Sequence, residues 1–160
     1  MSEITVNNTD AGIVAGVKSA LEAATICGVQ VFQQVVVAAS EEAARQTAYT
    51  HRSVAVVVYL RTQEHRISDR YLGCVVHLHV LVAARGDGDA ARTEAALRLQ
   101  NAAQNALSAA PPAQARAFAA GEQLFRRIEF GPGAFKADPP WATCTLSVAI
   151  AYTIENESSR

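Results

Sequence analysis

The chain has no surplus of either charge. Its 160 residues include 14 Lys and Arg against 15 Asp and Glu, which gives a formal net charge of −1. Proteins that bind DNA by neutralising phosphates usually carry a basic excess, so the balance argues against a dedicated DNA-binding domain. A local basic patch remains compatible with it.

Cysteine is scarce and widely spaced. Cys27, Cys74 and Cys144 form no CxxC pair, and their number is odd. We interpret them as small apolar residues of a reduced intracellular chain. Cys27 is expected at the end of a helix, where the helix dipole would disfavour the thiolate that a nucleophile needs.

Long apolar runs are also missing. None reaches the roughly 18 residues needed to cross a bilayer, and the first ten residues lack the basic and apolar regions of a signal peptide. We therefore expect a soluble protein, assembled in the cytoplasm, with no membrane partner. Aromatic residues are only 6% of the chain, and Ala and Val supply most of its 50% apolar residues.

Three long strands are predicted from apolar patterns. Leu146, Val148, Ile150, Tyr152 and Ile154 alternate with small or polar residues, which is typical of a strand with one buried face. The polar positions of this strand, Thr143, Thr145, Ser147 and Thr153, are expected to face solvent or a neighbour. The nearly continuous apolar run 54–60 predicts an inner strand covered on both faces. The segment 71–84 predicts the third long strand, with an apolar even-numbered face and with His77 and His79 on the other.

Two helices are predicted. The first follows a cap at Thr9 or Asp10 and ends at Gly28, with apolar residues at helical spacing between them. The second covers 91–109, where an alanine-rich stripe and a Glu94–Arg98 pair favour a helix that approaches the sheet closely. Segment 29–38 is β-rich, 39–52 is expected to be a helical turn or a mobile loop, 124–130 a further strand, and 61–70 and 131–140 connections.

These elements give the order helix, strand, strand, strand, helix, strand, strand. Strands in runs with segregated helices predict an α+β fold, with a mostly antiparallel sheet of about five strands and two main helices packed on one face. The length and the absence of a linker predict a single domain spanning 1–160, with frayed ends near 1–8 and 157–160.

Motifs of catalysis and cofactor binding are missing from the sequence. There is no G-x-S-x-G, no Walker lysine motif and no dinucleotide fingerprint. Asp87 and Asp89 resemble part of a calcium loop, but Arg98 stands where its last ligand belongs, so we interpret them as turn and cap residues. We therefore expect no catalytic residue, no cofactor, no bound metal and no enzymatic activity.

Three groups of side chains are candidates for contact with a partner. His77 and His79 lie about 7 Å apart on one strand face, which could begin a zinc or copper site but is also typical of a face that meets solvent or another subunit. Arg61, Arg66 and Arg70 cluster in a predicted loop, either solvated or near a charged partner such as DNA. Phe130, Phe135 and Trp141 bracket a Gly/Pro-rich loop, where aromatic residues either fold back onto the core or are offered to another subunit.

The order of elements resembles the tail terminator family of long-tailed bacteriophages, also called tail-completion or minor tail proteins. The segments that carry the resemblance are 13–24, 54–60, 71–84, 91–109 and 141–154; the segment 29–52 is longer than the family pattern. The resemblance implies a virion structural protein that forms a homo-oligomeric, hexameric ring on the head-proximal end of the tail. Such a ring stops polymerisation of the tail tube and provides the head-docking surface.

The resemblance also implies partners. These are copies of the chain itself, the tail tube protein and the connector or neck protein of the head, with DNA passing through the lumen. Two alternatives remain open at this point. One is a head–tail adaptor of the phage neck, and the other is a small metal- or ligand-binding α+β domain that uses His77 and His79.

Overall fold

The computed structural model describes residues 10–50, 53–69, 71–109 and 127–155. The expectations for Thr9, for both ends of the chain, for Arg70 and for the segment 110–126 therefore lie outside the described residues. The described elements, in chain order, are α1 (Asp10–Glu22), β1 (Thr25–Ile26), β2 (Val29–Gln30), β3 (Gln34–Ala38), α2 (Glu41–Ala48), β4 (Val54–Arg66), β5 (Tyr71–Arg85), α3 (Asp89–Ala109), β6 (Arg127–Phe130), β7 (Ala134–Asp138) and β8 (Trp141–Glu155).

The architecture is an α+β fold built on a mostly antiparallel sheet, as the sequence predicts. Six strands form this sheet in the order β3-β4-β5-β8-β6, and β7 pairs with β8 along the same side as β6. The pairing of β3 with β4 is parallel, whereas β4, β5, β6, β7 and β8 pair antiparallel. β1 and β2 form a separate short hairpin.

The centre of the sheet is the ladder between β5 and β8. It runs without a register shift from the pair Tyr71–Glu155 to the pair Arg85–Trp141. Because side chains alternate between faces, this register places the apolar sets of both strands on one side. Cys74, Val76 and Leu78 of β5 are buried there beside Leu146, Val148 and Ile150 of β8.

One face of the sheet, here called the two-helix face, is covered by α1 and α3. Ile13, Val17 and Leu21 of α1 are fully buried, and the α3 stripe is buried at Ala96, Ala103 and Leu107. Burying one such aliphatic side chain contributes about 1.5–3 kcal/mol, and alanines let the helix lie close to the strands. The predicted Glu94–Arg98 pair is present, with 2.8 Å between its charged atoms.

The opposite face, here called the one-helix face, carries a helix where the sequence predicts a helical turn or a mobile loop. Residues 41–48 form helix α2, whose N-cap residue Ser40 accepts a hydrogen bond from the Ala43 amide through its side chain. Ala44 and Ala48 bury against Val56 and Leu81. The two main helices therefore do share one face, as predicted, and a third, shorter helix covers part of the other face.

Other boundaries differ from the prediction. α1 ends at Glu22, and Cys27 and Gly28 instead form the turn between β1 and β2, with φ angles of 53° and 80°. The polar stretch after Leu60 continues β4 to Arg66, and the predicted loop 131–140 contains β7. In both cases backbone pairing with a long neighbouring strand outweighs a polar or turn-rich local sequence.

The fate of the predicted polar face of β8 is mixed. Thr143 and Thr145 are buried, with 1% and 4% of their surface exposed, so the expectation that they face solvent or a neighbour is wrong. Ser147 is half-buried, and the side chain of Thr153, the fourth residue of this prediction, lies outside the described residues. Along β4, Val54 to Val58 are buried between the two faces as predicted, whereas Tyr59 and Leu60 are exposed.

Helix α2 is held to the sheet by an aromatic contact. The ring of Tyr49, just after the helix, stacks on Trp141 with 5.2 Å between centroids, and its hydroxyl donates to Asp138 over 2.9 Å. Arg85 lies over the other ring, 6.0 Å from the Trp141 centroid. Burial, and then the hydrogen bond to Asp138, raise the pKa of Tyr49 to about 12.

The Tyr49→Phe variant should lose about 1 kcal/mol of unfolding free energy at pH 7, because it lacks the hydrogen bond to Asp138. The pKa of a tyrosine in an unfolded chain is about 10, so the stability linked to the Tyr49 proton is present below pH 10 and is lost as the pH rises towards 12. The difference between the native chain and Tyr49→Phe should therefore shrink over that range. Urea unfolding between pH 7 and 11.5 measures it. Tyr59→Phe is the control for losing a tyrosine hydroxyl that bonds to a neighbouring side chain at the surface, here Thr62 over 2.7 Å. A difference that stays constant with pH would contradict the assignment.

Candidate functional site

A polar cleft of about 300 Å³ lies on the part of the one-helix face beyond α2. Its floor is formed by the middles of β5 and β8, and its walls by β4 and by β6 with the residue after it. We define the polar cleft by its polar side chains and by the small residue at its floor. The polar residues are Arg61, His77, His79, Glu129 and Ser147, and the small residue is Ala149.

The sheet register aligns four of these residues across the strands. Arg61 pairs with His77, His77 with Ala149, and Ala149 with Glu129. Three strand spacings separate the ends of this row, about 14 Å between the outer Cα atoms. A guanidinium thus stands at one side of the cleft and a carboxylate at the other, and the small side chain of Ala149 leaves the space between them open.

A β-bulge places Arg61 in this row. The register of β4 against β5 shifts between Tyr59 and Arg61, so Leu60 is an extra residue in the strand. Before the bulge the even-numbered Val58 shares the one-helix face with His79, and after it the odd-numbered Arg61 shares that face with His77. An extra residue in one strand is the usual way in which a sheet re-aims a side chain.

The two imidazoles of the cleft make hydrogen bonds to different elements. His77 donates from Nε2 to Gln63 Oε1 over 2.8 Å, towards β4. His79 donates from Nδ1 to Glu41 Oε1 over 3.2 Å, towards the first turn of α2. Across the described residues, no three His, Cys, Asp or Glu side chains converge in a way that could hold a metal ion.

The electrostatics of the cleft favour a neutral His77. Burial, and then the positive charge of Arg61, lower the pKa of His77 below its ordinary value. Below the ordinary value of 6.5 the unfolded chain binds a proton at this histidine more readily than the folded chain does. The free energy of unfolding therefore decreases as the pH falls from there through the pKa of His77. Ser147 donates to the carbonyl of Pro132 over 3.3 Å. With Arg61 and Glu129 at its two sides, the cleft as a whole suits binding through hydrogen bonds and opposite charges.

The structure brings together four of the residues that the sequence offers as candidates for contact with a partner, and it places Ser147 beside them. Arg61, His77 and His79 line the polar cleft, and Phe130 lies at its β6 wall while also packing against the core. Trp141 is buried under α2, with 9% of its surface exposed. Phe135, on β7, has 46% of its surface exposed.

Two of the three basic residues that the sequence places in one loop, Arg61 and Arg66, lie instead on strand β4. Arg61 belongs to the cleft, whereas Arg66 is at the exposed end of β4, 3.4 Å from Asp69. Arg70 lies outside the described residues. Arg61 and Arg66 lie on opposite faces of the sheet, because 61–66 are strand residues whose side chains alternate between the two faces.

Sequence reasoning missed Glu41, Gln63 and Glu129 as members or neighbours of the cleft. Each is a common polar residue with no motif around it, and only the strand register and the position of α2 bring it near a histidine or the cleft. The one sequence signal that could have located the cleft is the apolar alternation of β8. Once β8 is paired, this alternation determines which residues of β5 and β6 share a face with Ser147.

Replacing Arg61 by Gln should raise the pKa of His77, because it removes the nearby positive charge while burial still holds the pKa down. The imidazole C–H resonances followed by NMR between pH 4.5 and 8.5 measure the change. Arg66→Gln is the matched control, since Arg66 lies at the far end of the same strand and should leave His77 unchanged. A His77 pKa that is the same in the native chain and in Arg61→Gln would show that the guanidinium does not act on the imidazole.

Comparison with known proteins does not assign the chain to a family. No family model matches the chain, and no curated protein matches it. Among the described helices, none is both long and apolar enough to cross a membrane. A function can therefore be proposed on three grounds. These are the polar cleft, the two edges of the sheet at β3 and at β6 with β7, and the resemblance in the order of elements.

Proposed function

We propose that the chain is a structural subunit of a phage tail, which assembles into a ring that caps the tail tube, stops its polymerisation and offers a surface to the head. The observation that carries the proposal is that the sheet ends in two unlike edges, β3 on one side and β6 with β7 on the other. In the part of the chain that the structure describes, neither edge has a further strand beside it.

Two unlike edges suit a ring. A subunit that closes a ring contacts its neighbours through two different surfaces, because each contact is head to tail and not self-complementary. Open strand edges are hazardous in a free subunit, since their unpaired amides and carbonyls invite uncontrolled pairing. A ring in which each copy covers the edge of the next would remove that hazard.

The polar cleft supports a second contact, with a different protein. Its charges of both signs and its half-buried histidines resemble the polar part of a protein interface more than the apolar core of an obligate one. In the proposed ring this surface would meet the tail tube protein or the connector of the head. The protein would then reside in the virion, at the head-proximal end of the tail.

The absence of a strong charge also agrees with a scaffold. A ring through which DNA passes does not need to hold it, and a net charge of −1 gives no general attraction to phosphates. Arg61 and Arg66 remain the described side chains through which a passing contact with DNA would be made.

Native mass spectrometry tests the proposal. Alone or on tail tubes, the protein should form a species of several copies of the 17.0 kDa chain, six in the ring that the resemblance implies. Both conditions matter because a ring subunit can be monomeric until it meets its template. A chain that is monomeric in solution and also bound as single copies on tubes would overturn the proposal. Recovery with tailless heads and not with headless tails would instead indicate a neck adaptor.

A further inference from the structure

The two edges of the sheet differ in how they are protected. β3 reads Gln-Val-Val-Val-Ala, with no charged residue and no proline, and it pairs with β4 in unbroken register. Charges, prolines and bulges are the usual devices that keep an edge strand from pairing with another chain, and β3 has none of them. β7 carries Lys136 and Asp138, and prolines 132, 139 and 140 flank it, so it is guarded against indiscriminate pairing. No proline lies within Ala134–Asp138, and its backbone remains able to pair with one matching edge.

Each edge also exposes one large apolar side chain on the same face. Val37 of β3 and Phe135 of β7 are both 46% exposed. Val37 pairs with Val57, a residue of the two-helix face, and Phe135 pairs with Cys144, which belongs to that face too. When a sheet continues from one copy into the next, its faces continue as well, so these two side chains would meet.

We propose that β7 of one copy pairs with β3 of the next copy, so that adjoining subunits share one continuous sheet. The pairing specifies how the proposed ring would close, and it rests on that proposal. Both strands have five residues, which gives a ladder without overhang. The apolar contact within it joins Phe135 of one copy to Val37 of its neighbour.

Strand direction is consistent with this pairing. β3 runs parallel to β4, and three antiparallel steps through β5 and β8 make β7 run opposite to β3. A rotation about an axis along the strands preserves the direction of every strand. β7 and the next copy's β3 would therefore be antiparallel, which is the slightly more stable arrangement for each residue pair.

A second copy is favoured over an unrelated strand because the chain itself supplies the matching edge. Length, direction and the face of the exposed apolar side chain all agree between β3 and β7. Pairing of β3 with a second β3 would also cover the unprotected edge, but it would leave Phe135 and the β7 edge open. The same experiment separates these two arrangements.

Disulfide trapping tests the pairing. The background is Cys27→Ser with Cys144→Ala, which removes the exposed native thiol and the thiol directly across the ladder from position 135. Val37→Cys and Phe135→Cys are prepared in it as separate variants. After mixing and mild oxidation of the assembled protein, a disulfide-linked dimer should form only in the mixture, and the double variant in one chain should give a ladder of linked multimers. A dimer in Val37→Cys alone would indicate β3–β3 pairing and overturn the proposal. No linked species in a sample that is assembled by mass would overturn it as well.

A charge variant gives an independent reading. Val37→Glu should weaken assembly about tenfold or more, because a carboxylate would be buried against Phe135 of the neighbour. Adding Phe135→Lys should restore part of the loss. Ile67→Glu is the matched control, since Ile67 is 54% exposed and follows the outer end of β4, whereas β3 and β7 pair at the opposite end of the sheet. An equal effect of Val37→Glu and Ile67→Glu would overturn the pairing.

The result is distinguishable from failure of the proposed function. If the rings form on tail tubes but Val37 and Phe135 neither cross-link nor respond to charge, the edge pairing is wrong and the ring stands. If the cross-link forms in the mixture while the protein ignores tubes and heads, the edge pairing stands and the tail role is wrong.

Discussion

The ladder between β5 and β8 is the constraint on which the rest of the molecule depends. Its pairs extend over the full length of both strands, from Tyr71–Glu155 to Arg85–Trp141. Because side chains alternate with a period of two, a slip of one residue would move every apolar residue of one strand to the opposite face. The register thus decides at once what is buried under α1 and α3 and what is left for the one-helix face.

The two faces use that register differently. The two-helix face is an apolar layer in which Ile13, Val17 and Leu107 fill the space above the central strands. On the one-helix face, α2 covers a small apolar patch around Leu81 and Trp141, and the polar cleft follows where that cover stops. Short helix cover is therefore what leaves a charged row of side chains accessible on an otherwise well-buried sheet.

The sequence predicts the elements whose burial pattern is strong. The alternation from Leu146 to Tyr152 and the alanine stripe of α3 were sufficient, because long elements with one buried face carry a clear period. The class of fold, the order of the long elements and the pair of helices on one face followed from them. His77 and His79 could also be assigned to the other face, since they alternate with buried residues of β5.

Elements defined by tertiary pairing could not be predicted. β7 lies in a segment rich in glycine and proline, and the outer part of β4 reads as a polar loop, so only a neighbouring strand makes either of them extended. The end of α1 was placed at Gly28 because glycine commonly ends helices, but here the left-handed φ of Gly28 serves a hairpin turn. Glu41 reaches His79, and Glu129 lines the cleft, only because distant segments are brought together, and no local pattern reports that.

The extra residue at Leu60 separates the hairpin of β4 and β5 into two halves with independent phase. In residues 54–58 the odd-numbered side chains face α1 and α3, as burial requires. In residues 61–66 the even-numbered side chains lie on that face instead, because of the extra residue. Substitutions in the outer half, or deletion of the extra residue, would therefore change which side chains that half exposes without moving the valines of residues 54–58. The surface that the outer half offers to another molecule can vary, whereas the buried half cannot.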